Sequence, residues 1–351
     1  MTSLSFWNKK KVFITGHTGF KGSWLTLFLT SLGAEVIGYS SHPPSLPYLF
    51  EQCNVAKECT TMKGDITNYD VLLHAIKQHQ PDIIFHLAAQ PLVTSSYEKP
   101  IDTFKTNVLG TVHVLEAAKH VESVRVIINV TSDKCYENDG SGDRAFVEAD
   151  RLGGYDPYSA SKACAELVAT SYHKSFFHTN TTSLASVRAG NVIGGGDWAE
   201  NRLFPDIIRA YLQNDTLSIR NKNAIRPWQH VLDPLHGYIL LAEKLWHHTE
   251  YAEGWNFGPI NEPNRSVHDV IQSVIKLWNK PLTILSPTTN TPYESPILTL
   301  DSTKAISKLG WTPKLSTENS IAWTVEWYKK YAAGENIESF TREQIDAFKN
   351  L

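Results

Sequence analysis

The chain has 351 residues, enough to bury a large core and to hold more than one domain. Its formal net charge is −3 with no long basic run, which argues against nucleic acid as a partner. Hydrophobic content of 42% and charged content of 20% fit a soluble globular protein, and no stretch approaches the ~20 apolar residues that span a bilayer, so no membrane partner is expected. The start, Met1 to Trp7, lacks the apolar region of a signal peptide. Cys53, Cys59, Cys135 and Cys164 form no CxxC pair, so reduced thiols in a cytoplasm are expected, and no metal site.

Taken in chain order, the elements begin with Lys11 to Thr15, an apolar run of buried-strand length. Gly16, Gly19 and Gly22 follow at intervals of three, and Trp24 to Leu29 carries a helix-compatible apolar face. Glycine suits a sharp turn, a close approach to phosphate oxygens and tight helix–strand packing, while the new helix offers free amides and its positive end. The loop Gly16-His17-Thr18-Gly19-Phe20-Lys21-Gly22 can therefore seat a dinucleotide pyrophosphate. The spacing is GxxGxxG, not GxGxxG. His17 lies beside the phosphates, as a tuner of cofactor affinity or as a solvent-facing loop residue.

A second strand, Glu35 to Tyr39, ends without the usual acid for the adenosine ribose, and Ser40 stands there instead. Ser40 can hydrogen-bond a 2′-hydroxyl. This feature leaves NAD and NADP open, and the absence of a nearby Arg leans to NAD. Asp65, in Gly64-Asp65-Ile66-Thr67 after the third strand region, is placed either to receive an adenine amino group or to cap a helix. Further strands are expected at Ile83 to Leu87, Val124 to Val130 and Ser183 to Val187, separated by helices such as Thr106 to Lys119 and Ser161 to Lys174. This alternation predicts an α/β, doubly wound parallel sheet. Beyond residue 190 proline becomes frequent, and helices recur at Phe204 to Leu212, Val231 to His247, Val267 to Trp278 and Ser316 to Tyr331. The expected division is a dinucleotide domain over 1–190 and a smaller, partly interleaved substrate lobe over 191–351.

Tyr158 and Lys162 are spaced i and i+4 and share one helix face. An ammonium beside a phenol, together with oxidised nicotinamide, lowers the phenol pKa and favours tyrosinate as a base. Lys162 can also hold nicotinamide-ribose hydroxyls. Thr131-Ser132-Asp133-Lys134 ends the preceding strand at the carboxyl edge, where Ser132 can bond a substrate oxygen and share its proton with Tyr158.

With these segments the chain resembles the extended short-chain dehydrogenase/reductase family of the nucleotide-sugar type, whose Rossmann-type fold it then shares. The resemblance extends through His86-Leu87-Ala88-Ala89-Gln90, the helix with Asn107, Arg188-Ala189-Gly190-Asn191, Arg226-Pro227-Trp228-Gln229-His230 and Leu309-Gly310-Trp311-Thr312-Pro313. Within that family, Thr131 to Asn138 and Gly190 to Trp198 are similar to the 4,6-dehydratases of CDP-linked glucose. The resemblance implies NAD as cofactor, near Ile66, Ala88, Ala89, Gln90 and Asn107 as well as the glycine loop. It implies C4 oxidation of CDP-glucose, loss of water across C5 and C6, and hydride return to C6. Asp133 then stands where relatives place the acid for the C6 hydroxyl. Lys134 stands where enzymes acting on thymidine-linked glucose carry a Glu base. A lysine serves there only with a lowered pKa, and binding water or a sugar hydroxyl is the alternative.

By the same resemblance Asn191, Arg202 and Arg226 contact the diphosphate, a guanidinium fork suiting that group. Tyr293 and Glu294 fall in the segment that closes over the nucleotide. Relatives pair through two helices per subunit into a four-helix bundle, which implies a homodimer or homotetramer through the helices starting near Pro100 and Tyr158. The implied destination is deoxysugar synthesis for lipopolysaccharide O-antigen. A nucleotide-sugar 4-epimerase shares Ser132, Tyr158 and Lys162 but needs no acid and base at C6. A reductase would consume NADPH without needing that pair, and a non-catalytic dinucleotide sensor need not keep both Tyr158 and Lys162.

Overall fold

The computed structural model describes residues 4–43, 45–142, 144–178, 182–260, 265–286 and 295–351. Seven parallel strands form its central sheet: β1 (Lys11–Thr15), β2 (Glu35–Ser40), β3 (Cys59–Lys63), β4 (Ile83–His86), β5 (Val126–Val130), β6 (Ser183–Ala189) and β7 (Gly254–Phe257). Their order is β7-β6-β5-β4-β1-β2-β3, the doubly wound Rossmann arrangement expected. β4, β5 and β6 are buried at every position, as strands covered on both faces must be.

The two-residue period of β1 divides the core. Val12 and Ile14 join Trp24, Leu25, Phe28, Leu235 and Trp255 on one face. Phe13 joins Ile84, Ile127, Leu72, Ile76 and Leu115 on the other. Strand order reverses between β1 and β4, which opens a crevice at their carboxyl ends. The register aligns those ends, with Thr15 opposite His86 and His86 opposite Asn129. A third cluster, including Phe204, Ile207, Trp228, Ile271 and Val325, forms the base of the C-terminal lobe. Helix Leu232–His247 and β7 nevertheless pack with the main sheet, although both follow residue 190.

Several boundaries differ from expectation. Helix Pro157–Tyr172 starts four residues before Ser161, because Asp156 accepts the Ser159 amide at 2.9 Å and Pro157 fits the first turn. The helix expected from Thr106 begins at Pro100 and is interrupted by a π-turn, Lys105–Leu109, that carries Asn107. Among the elements not anticipated are β7, only four residues long, and helix Ile337–Asn350, whose Phe348 packs on Phe28 with ring centroids 6.1 Å apart. Among the described residues no helix is long and apolar enough to cross a membrane.

Candidate active site

The glycine loop joins β1 to helix Phe20–Ser31. Gly16 has φ +80°, and a Cβ there would lie 2.8 Å from the Ala88 amide nitrogen. A Cβ on Gly22 would lie 2.2 Å from the Gly16 carbonyl oxygen. Only bare backbone fits at these two positions, which brings peptide groups to the switch point and leaves the first-turn amides of the helix open to an anion. The residues present thus fit a dinucleotide pyrophosphate.

His17 corrects the solvent-facing reading. It is fully buried, edge-on to Phe50, with its Nδ1 2.9 Å from Ser40 Oγ. Burial lowers its pKa to about 4, so the ring is neutral and serves to hold the Ser40 hydroxyl, which also accepts the Thr18 amide at 3.3 Å. Asp65 does not cap the next helix. Its carboxylate accepts the Thr67 amide at 2.8 Å, and Asn68 is the cap of helix Tyr69–His79. Ile66 is buried beneath Gly110, where a Cβ would meet it at 2.4 Å.

A polar chain runs across the strand ends. The Ala88 amide donates to Thr15 Oγ1 at 3.2 Å, and Thr15 Oγ1 lies 2.7 Å from His86 Nδ1. After the adjoining Ala89, the Gln90 amide donates to Asn107 Oδ1 at 2.8 Å. Asn107 Nδ2 donates to Gln90 O at 3.0 Å and to Ser161 Oγ at 2.9 Å on the helix of Tyr158. The π-turn thus aims Asn107 at both the loop after β4 and the helix bearing Tyr158.

Ser132, Asp133, Lys134 and Tyr158 converge on one cavity of about 270 Å³. Ser132 Oγ donates to Asp133 Oδ1 at 2.9 Å, and Lys134 Nζ lies 3.9 Å from that oxygen. Asp133 Oδ2 is buried with no hydrogen-bond partner among the described residues. Lys162 lies just behind, donating to the Val130 carbonyl at 3.3 Å. Burial raises Tyr158 to about 12, opposed by a hydrogen bond with Ser132. The phenol lowering expected from Lys162 is therefore not set up by the protein groups themselves, because desolvation outweighs the neighbouring donors.

The far wall comes from the C-terminal lobe. Asn191 and Arg202 line it, with Arg202 Nη1 2.9 Å from Asp197 Oδ2. Arg226 lines it too, but its guanidinium donates to the carbonyls of Ile225 at 2.8 Å, Pro296 at 3.1 Å and Ser295 at 2.7 Å. Trp228, Arg220 and Asn221 join this wall, and no motif in the sequence had pointed to the last two. Tyr293 and Glu294 lie outside the described residues. Phe20 and Lys21, expected at the cofactor, extend beyond the loop. Phe20 faces Gly194, and Lys21 lines the same cavity as Asp133 and Arg202. Burial first, then Arg202, lowers Lys21 to about 8.

A Rossmann sheet, a bare-backbone phosphate loop and a Ser–Tyr–Lys centre opening on a second ligand cavity define the short-chain dehydrogenase/reductase class in its extended form. Residues 13–324 match the model of the GDP-mannose 4,6 dehydratase family. The chain belongs to that family and is an enzyme of the hydro-lyase type. It is 45% identical over 99% of its length to a CDP-glucose 4,6-dehydratase of Salmonella typhimurium, covering 98% of that protein. A dTDP-glucose 4,6-dehydratase of Xanthomonas campestris is 26% identical over 95% of the chain and 98% of its own length. Among solved structures, a dTDP-glucose 4,6-dehydratase from Streptomyces venezuelae with NAD bound superposes with a TM-score of 0.79 at 22% identity, covering 92% of this chain and 98% of that one.

Proposed function

We propose that the protein converts CDP-glucose to CDP-4-keto-6-deoxyglucose and water. The observation that carries this reading is Asp133: a buried carboxylate with one oxygen unpartnered, in the same cavity as the Ser132–Tyr158 pair. C4 oxidation alone needs no such group. Protonating a departing C6 hydroxyl does.

NAD is the cofactor; the glycine loop, Ser40 and Lys162 would hold it, and it would supply reversible hydride acceptance between C4 and C6, so that none is consumed overall. Tyr158 removes the O4 proton, with Ser132 bonded to that oxygen and Lys162 supplying positive charge and a hold on the ribose. The C4 ketone makes the C5 hydrogen acidic. Asp133, in its acid form, gives its proton to the C6 hydroxyl, which leaves as water. Lys134 is our candidate to take the C5 proton, which requires its neutral amine, and to give it back to C5 as the hydride reaches C6; its distance from Asp133 keeps the transfers on adjacent groups. Asn191, Arg202 and Arg226 hold the diphosphate, the last after exchanging a carbonyl partner for phosphate oxygens.

In this reading residues 1–190 are mainly the cofactor side and 191–351 mainly the nucleotide-sugar side. Two subunits join through the helices from Pro100 and Pro157. The support is an apolar surface there, with Ile101 80% and Leu167 58% exposed beside Phe104 and Leu109. The enzyme acts in the cytoplasm, and its product feeds deoxysugar synthesis for lipopolysaccharide O-antigen.

Mass spectrometry of purified protein with NAD and CDP-, dTDP-, UDP- or GDP-glucose tests the reaction. Loss of one water from the CDP sugar alone, without NADH accumulation, is expected. An unchanged mass with inverted C4 would make the enzyme an epimerase.

A further inference from the structure

Behind the reacting groups lies a closed polar network that none of these steps uses. Glu166, 2% exposed, is one turn past Lys162 on helix Pro157–Tyr172. Its carboxylate accepts Thr131 Oγ1 at 2.5 Å, Arg188 Nε at 2.8 Å and Arg188 Nη2 at 2.9 Å. Arg188 Nη1 donates to the Tyr136 hydroxyl at 2.7 Å, and that hydroxyl donates to Asn256 Oδ1 at 2.7 Å. The end of β5, the catalytic helix, β6 and β7 are thus joined through one carboxylate and its arginine.

A buried ion pair adds little stability over well-packed apolar side chains, so this one calls for a reason in its position. Thr131 directly precedes Ser132, and its amide donates to the Val187 carbonyl at 2.9 Å. Lys162 makes its described hydrogen bond to a neutral carbonyl, Val130 O. The groups that act electrostatically on its ammonium are Glu166 on its own helix, Cys135 in the turn after Ser132, His86 on β4 and Lys21 on the glycine-loop helix, and Tyr158 lies one turn before it. Glu166 is the carboxylate of that set.

We propose that Glu166 is a positioning residue of the reaction: through Thr131 it fixes the strand end carrying Ser132, and one turn from Lys162 it keeps that ammonium protonated beside Tyr158. The inference rests on the roles proposed above for Ser132, Tyr158 and Lys162. Burial lowers Lys162 to about 8, and Glu166 opposes that shift. Without the carboxylate the value falls further, and more of Lys162 is neutral near neutral pH.

Two variants separate the parts. Glu166→Gln keeps shape and removes charge, whereas Thr131→Val keeps the ion pair and removes only the hydroxyl. In Glu166→Gln, NAD affinity measured by calorimetry without any sugar should fall off at a pH lower by about one unit than in the unaltered enzyme. Its kcat should drop roughly tenfold with KM within about twofold, and Glu166→Asp should restore part of the loss. Thr131→Val should lower kcat with the pH profile and melting temperature unmoved. A Glu166→Gln protein with unchanged NAD-binding profile and kcat overturns the proposal. If Glu166→Gln does not fold, Thr131→Val decides, and full turnover in it overturns the positioning role. Should the unaltered enzyme leave every nucleotide sugar intact while the NAD-binding profile still shifts in Glu166→Gln, the proposed reaction fails and only the hold of Glu166 on the Lys162 charge stands.

Discussion

The two walls of the cavity are built by different means. On the sheet side, Ser132 ends a strand extension, Tyr158 and Lys162 share one helix face, and the glycine loop follows β1 directly. The spacing of these groups is set by local sequence, and the central sheet then holds the strand end, with the Thr131 amide on the Val187 carbonyl. On the nucleotide side, Arg226 sits in a two-residue strand and is held by carbonyls about seventy positions along the chain. Arg202 directly precedes helix Leu203–Gln213 and is held by Asp197. A wall carried by the central sheet and its helix is stiff and suits bond-making, whereas a wall of arginine hooks, long-range at Arg226, can exchange partners with a ligand. Sheet-side substitutions should therefore change rate at nearly constant affinity, and nucleotide-side substitutions the reverse.

The hardest test of that contrast is Tyr158→Phe, which removes one oxygen from the stiff wall. Turnover of CDP-glucose should fall by about 10³-fold or more, while binding of the sugar by calorimetry stays within a few-fold. Loss of binding along with turnover would mean that the sheet side also recognises the substrate. Asp133→Asn comes next. It should slow elimination by roughly 10²–10⁴-fold while C4 oxidation continues, so absorbance of NADH should rise in a single turnover where the unaltered enzyme shows little. No NADH and no product would place Asp133 at the first step instead.

The same contrast explains what was legible in the sequence. The glycine spacing, the Tyr158–Lys162 interval and the apolar strands are local patterns, and each maps onto the structure as the loop, helix or strand it implied, although the phenol of Tyr158 is raised and not lowered. The fate of His17 was not local: its burial depends on Phe50 and on the close approach of Gly38, where a Cβ would lie 2.1 Å from the ring. The strand β7 escaped notice because four residues carry little periodicity, and it exists by pairing with β6. Lys21 sat inside a motif that explained its neighbours, so its place in the cavity of Asp133 and Arg202 was hidden. The Glu166–Arg188 pair had a signal, since Glu166 stands four residues after Lys162, but its partner is fixed by the sheet and not by spacing.

On the nucleotide side, Arg226→Met should raise KM for the CDP sugar by about 10- to 150-fold with kcat changed by less than about threefold, since a charge-assisted contact worth about 1.5–3 kcal/mol is lost from recognition. A fall in kcat at constant KM would reverse the contrast. Because Arg226 also ties the chain to Ser295 and Pro296, the variant's melting curve must accompany the kinetics.

Acid stability asks whether the two walls are separable at all. Burial lowers His17 and His236 to about 4, and His86 and His230 to about 3. Each ring is neutral in the fold, so the unfolded chain binds more protons between those values and the ordinary 6.5. Stability is then full above about pH 6.5 and declines as pH falls toward the folded values, by up to ~1.4 kcal/mol per unit for each histidine. Asp233, raised to about 7 by burial, and Asp206, also raised by burial, act in the opposite sense, but they are two groups against these four. The histidines are spread over the glycine loop, β4, a strand of the far wall and helix Leu232–His247. That helix and β7 share the main core, so both walls should be lost together: melting temperature should drop between about pH 6.5 and 4.5 in one transition, the same by near- and far-ultraviolet circular dichroism. Two transitions would mean that the long-range hooks release before the sheet, and that the nucleotide wall is a separable unit whose closure adds to affinity but not to the stability of the catalytic frame.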